Sequence, residues 1–133
     1  MIECAILGDS IAVGVAARNP ECRVQAVVGI NSHDYSVRFS QNISANLALI
    51  SIGSNDASDP RSAAAIRLMR DRLTADQVTW LLSPNNARTS DMVRRIARER
   101  GDRVIEVRPF VGQDGVHPTS AGYHRLSSIW RNR

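Results

Sequence analysis

Short runs that are apolar on both faces alternate, from one end of the chain to the other, with stretches whose apolar residues recur at helical spacing. A strand apolar on both faces must be covered on both, which is the situation of a central parallel strand with helices above and below. The first run is Glu3 to Leu7, followed by a helix over Ile11 to Arg18 that Asn19-Pro20 stops. The second is Arg23 to Val28, closed by Gly29, with a weakly patterned helix over His33 to Gln41. Leu47 to Ile52, apolar except for Ser51, is the third. Asp59 then caps a helix that begins at Pro60 and turns Ile66, Met69 and Leu73 inward. Gln77 to Leu82 is the fourth run, and Thr89 or Ser90 caps a helix with the stripe Met92, Val93, Ile96 and Ala97, ended by Gly101. Val104 to Val107 is the fifth, and after a loop Pro118 and Thr119 start a final helix with Tyr123, Leu126, Ile129 and Trp130 turned inward.

Five such units with short connections predict a three-layer α/β/α sandwich around a five-stranded parallel sheet. Right-handed crossovers and one reversal of winding give the flavodoxin-like strand order 2-1-3-4-5. The 133 residues suffice for one domain, 1–133, with a core of its own and no need of metals or staples. No linker, repeat or membrane-length apolar run interrupts it, and Met1-Ile2-Glu3-Cys4 lacks the basic start of a secretory signal, so a soluble, cytoplasmic protein is expected. Cys4 and Cys22 form no C-x-x-C and no ligand cluster; they are expected as buried thiols, with a bridge open to them if their strands are neighbours.

All 17 basic side chains are arginine, and the net charge is +4. The arginines are spread along helices rather than gathered, and they lack the interleaved aromatics of a nucleic-acid groove, so solvated helix faces are the expectation and no nucleic acid or membrane partner. The absence of lysine has a sharper consequence. A phosphate-binding P-loop needs G-K-[ST], and a response-regulator receiver needs a late lysine; neither can be built here.

In a doubly wound sheet, ligands sit beyond the carboxyl ends of the strands. Ser10, Gly29, Asn55, Asn85 and the loop bearing Asp114 and His117 all follow predicted strands directly, so the polar candidates share one edge. A serine hydroxyl needs a base to take its proton, and an imidazole base works best when a carboxylate holds its other nitrogen. Ser10 supplies the nucleophile, His117 the base and Asp114, three residues earlier in a loop that Gly115 can turn, the orienting carboxylate. The Ser10 N–H, the Gly29 N–H and the Asn55 side-chain amide are the donors available for an oxyanion.

Each residue also has a plainer reading. Ser10 could be a helix cap, His117 an exposed loop histidine, Asp114 the start of an Asx turn, Gly29 a strand-ending turn and Asn55 a loop cap. Asp9 and Asp56 could be paired glycosidase carboxylates but suit loop bracing better. Asn85 and Asn86 fit a plain turn after Pro84, His33 and His124 fit surface or packing positions, and Trp80 and Trp130 fit the core.

Gly8-Asp9-Ser10, Gly29 in Val27-Val28-Gly29-Ile30-Asn31-Ser32, Gly53-Ser54-Asn55-Asp56 and Asp114-Gly115-Val116-His117 together resemble the four blocks of the SGNH, or GDSL, hydrolase superfamily, in order and through nearly the whole chain. The resemblance implies a metal-independent ester hydrolase with Ser10, His117 and Asp114 as triad and Ser10, Gly29 and Asn55 as oxyanion hole. No cofactor is implied, and the substrate class is a small acyl ester, O-acetyl groups on carbohydrate included. The alternative is a carbohydrate-recognising module that kept the fold and lost turnover. Where the superfamily has a further small residue after the second-block glycine, this chain has Ile30-Asn31-Ser32, and it is short, so an open, shallow site is expected.

Overall fold

The computed structural model describes residues 1–132. Its elements are β1 (Ile2–Gly8), α1 (Ser10–Ala16), β2 (Arg23–Ala26), α2 (Ser32–Arg38), β3 (Ile43–Ser51), α3 (Ser62–Asp71), β4 (Leu73–Leu82), α4 (Ala87–Arg100), β5 (Arg103–Glu106), a short 3₁₀ turn (Arg108–Phe110) and α5 (Ser120–Ile129). All strand pairs are parallel, in the order β2-β1-β3-β4-β5. The predicted order is therefore the observed one, with the winding reversed between β1 and β3.

Alternate residues of the central strands feed two separate cores. Ala5, Leu7, Ala48, Ile50, Val78 and Trp80 meet Tyr35 of α2, Ile66 and Met69 of α3 and Val93 and Ile96 of α4. Ile6, Leu49 and Leu81 on the other face meet Ile11 and Val15 of α1 and Leu126 and Trp130 at α5. Trp80 and Trp130 are both core residues, at 0% and 1% exposure. Among the described residues, no helix is long and apolar enough to cross a membrane.

Several boundaries differ from those the sequence predicts, for local reasons. β3 and β4 begin four residues early, because Ile43 pairs with Leu73 and Ala45 with Ala75 outside the continuous apolar runs. Leu73 is therefore a strand residue rather than the last inward position of α3. Asp59 accepts from the Arg61 N–H at 2.9 Å, making a turn ahead of a helix that starts at Ser62 rather than Pro60. The cap of α4 is Asn86, whose side chain accepts from the Thr89 N–H, so Thr89 lies inside the helix and is buried. α2 is capped by Asn31 and ends at Arg38. β2 stops at Ala26, which leaves Val27 and Val28 in the loop.

The two cysteines are bridged rather than free. The β1–β2 register sets Ala5 beside Arg23, which places the preceding residues, Cys4 and Cys22, as neighbours, and they form a disulfide with a Cα–Cα distance of 4.8 Å.

Candidate active site

The site begins with the turn that follows β1. Gly8 has φ +134°, and a Cβ there would lie 1.7 Å from the Ser51 carbonyl oxygen of β3, so only glycine fits. This close approach lets the Asp9 N–H donate to that carbonyl at 2.9 Å, while the Val27 N–H donates to the Gly8 carbonyl at 2.9 Å from the other side. The turn is thus tied to β3 and to the loop that leaves β2. Asp9 is fully buried and caps α1: its Oδ1 accepts from the Ile11 N–H at 3.1 Å and from the Ser51 hydroxyl at 2.9 Å. Its Oδ2 has no partner among the described residues. Burial pushes the Asp9 carboxyl up from 3.8 to about 6, against the lowering effect of these hydrogen bonds. The lone polar residue of the third apolar run, Ser51, is there to serve Asp9.

Ser10 is the first residue of α1 and so sits at the positive end of that helix. Its Oγ lies 2.9 Å from His117 Nε2, although 107 residues separate the two. His117 Nδ1 lies 2.7 Å from Asp114 Oδ2. The other Asp114 oxygen accepts from the backbone N–H groups of Val116 and His117, each at 2.8 Å. The Val116 and His117 hydrogen bonds hold the Asp114 carboxyl at about 2, so it is ionised at any ordinary pH. An anionic acceptor on Nδ1 keeps a proton there and leaves Nε2 free to accept from the Ser10 hydroxyl.

The loop that carries Asp114 and His117 is closed on itself. The Gly112 N–H donates to the His117 carbonyl at 2.9 Å, the Thr119 N–H to the Phe110 carbonyl at 3.0 Å, and Gly115 takes φ +73° to complete the tight turn. His117 and Asp114 are nonetheless about half exposed, at 48% and 54% of their side-chain surface, which makes the site open as expected.

Gly29 and Asn55 lie in the loops that leave β2 and β3, the strands on either side of β1. The Asn55 amide donates to the Ile30 carbonyl at 3.1 Å, which leaves its second N–H uncommitted by that bond. Asp56 braces the same two loops: it accepts from the Ser32 N–H at 2.8 Å and the Ser32 hydroxyl at 2.5 Å, and it is buried. The Ile30-Asn31-Ser32 segment therefore supplies a carbonyl for Asn55, a helix cap and the partner of Asp56. Ser32 and Ser51 carry no motif, and sequence reasoning missed both. Asn85 and Asn86 brace the loop after β3, through the Ser54 carbonyl and through those of Gly53 and Ala57. His124 is exposed and stands outside the site, whereas His33 lines a cleft beside Gly29. Among the described residues, Cys4, Glu21 and Cys22 group closely enough for a metal, but the two sulfurs are bonded to each other.

No protein-family model and no curated protein matches the sequence. Solved structures do. A G-D-S-L family protein from Desulfitobacterium hafniense DCB-2 superimposes with a TM-score of 0.62 at 14% identity, over 96% of both chains. A carbohydrate acetylesterase family member from Sinorhizobium meliloti gives 0.60 at 12% identity, over 96% of this chain and 94% of that one. The native aryl esterase of M. smegmatis gives 0.60 at 14% identity, over 96% and 95%. The likeness at these identities is one of backbone architecture, and the chain has the fold of the SGNH, or GDSL, hydrolases.

Proposed function

We propose that the protein is a serine ester hydrolase that cleaves short acyl esters, O-acetylated carbohydrates among them, through an acyl-enzyme. What supports this reading above all is the unbroken run of hydrogen bonds from Ser10 Oγ through His117 to Asp114, at 2.9 and 2.7 Å. Ser10 attacks the ester carbonyl carbon while its proton passes to His117 Nε2. The Asp114 carboxylate stabilises the imidazolium that forms and keeps the ring oriented. The backbone N–H groups of Ser10 and Gly29 and the Asn55 amide receive the oxyanion. His117 then returns the proton to the leaving alcohol, and a water activated by the same imidazole releases the acid. The half-exposed triad leaves room for a bulky alcohol such as a sugar.

Hydrolysis of p-nitrophenyl acetate is the first test. Ser10→Ala is expected to lower kcat by on the order of 10⁴-fold or more, because it removes the hydroxyl that is hydrogen-bonded to the His117 imidazole. Activity that survives unchanged in Ser10→Ala contradicts the reading. A wild-type protein that neither turns over esters nor acylates favours the binding-module alternative.

A further inference from the structure

Two valines beside the oxyanion donors lie largely in water. Val28 is 70% exposed and Val37 is 67% exposed. One exposed valine is ordinary, but these two line the same cleft, of about 450 Å³, with Gly29 and Ile30 from the loop after β2 and His33 and Arg38 from α2. The cleft adjoins the turn that leads to Ser10, since Val27, which lines it, donates its N–H to the Gly8 carbonyl at 2.9 Å, and a methyl group placed on Gly29 would touch nothing within 4 Å.

The position of the cleft decides which part of an ester can reach it. The leaving oxygen has to stay beside His117 Nε2 to take its proton. The loop bearing His117 packs through Phe110 and Val111 with the α1/α5 core. Val27 and Ile30, which line the cleft, belong with the core on the opposite face of the sheet. With the oxyanion on the Ser10, Gly29 and Asn55 donors and the alcohol on the His117 side, the acyl chain is the substituent left to run past Gly29 toward the cleft.

We propose that this cleft is an acyl-chain subsite and that Val28 and Val37 set a preference for unbranched acyl groups longer than acetyl. The proposal rests on the serine-hydrolase reading above and adds to it the class of acyl group. Each methylene withdrawn from water raises kcat/KM by up to about fourfold, and less in a cleft this open.

The experiment is a series of p-nitrophenyl acetate, butanoate and hexanoate, below their aggregation limits, on wild type, Val28→Ser/Val37→Ser and the milder Val37→Thr. Leu68→Ser, an exposed apolar site outside this cleft, is the control. The expected wild-type ratio of kcat/KM for hexanoate over acetate is about tenfold, falling at least about fivefold in the double variant, in the same direction but less in Val37→Thr, and not in Leu68→Ser. A wild-type ratio at or below one overturns the subsite, as does a ratio that the double variant leaves unchanged. Ser10→Ala run alongside separates the two failures. Acetate hydrolysis that depends on Ser10 with a flat series removes only the subsite, whereas a chain-length trend that persists in Ser10→Ala removes the serine-hydrolase reading itself.

Discussion

Asp9 and Asp114 are the carboxylates that adjoin Ser10 and His117, and they are held in opposite ways. Asp9 is sealed beneath the turn after β1, capping α1 and bonded to Ser51, with its carboxyl pushed up to about 6 by burial. Asp114 stands half exposed in the loop after β5, and its carboxyl is held at about 2 by the hydrogen bonds of Val116 and His117. One carboxylate costs stability when ionised and holds the backbone at Ser10; the other is ionised at almost no cost and holds His117. Ser10 is thus fixed by the fold, and His117 by a loop ordered through its own hydrogen bonds.

This contrast is broken most severely at Asp114. Asp114→Asn keeps one oxygen for the Val116 and His117 N–H groups but turns an amide donor toward His117 Nδ1, so the imidazole must carry its proton on Nε2 and can no longer accept from Ser10. Turnover of p-nitrophenyl acetate is expected to fall by on the order of 10⁴-fold, with the melting temperature unchanged. A matching drop in melting temperature would mean that the loop is a structural element and erase the distinction.

Asp9 sharpens the same contrast with a smaller effect of another kind. Between its ordinary value of 3.8 and about 6, the unfolded chain ionises before the folded one, so folding stability declines as pH rises through that window and levels off above it. The full decline is on the order of 3 kcal/mol. Asp9→Asn keeps the capping oxygen and removes the titration. Its melting temperature relative to wild type should therefore climb from pH 4 to pH 6 and then stay constant. Parallel curves for the two proteins across that window would show that Asp9 does not titrate there.

What could be read from the sequence is what depends on local pattern and chain order. Apolar runs located the middles of the strands, and the rule that ligands gather at carboxyl ends put Ser10, Gly29, Asn55 and His117 on one edge. Register was not legible. The outer parts of β3 and β4 alternate instead of running apolar, so Leu73 looked like a continuation of the Ile66 and Met69 stripe. The Cys4–Cys22 bridge and the Ser51–Asp9 contact follow from which residues face each other across β1, and strand patterns do not specify that. The cleft beside Gly29 was hidden because Val28 reads as strand, whereas β2 stops at Ala26.

The central claim is that Ser10 and His117 act as one unit, and labelling by a fluorophosphonate read by intact-protein mass tests it most directly. The account predicts a single adduct on Ser10 in the wild type, none in Ser10→Ala, and labelling in His117→Ala slowed by on the order of 10³-fold or more. An adduct that forms on another residue, or on Ser10 at the same rate without His117, would contradict it.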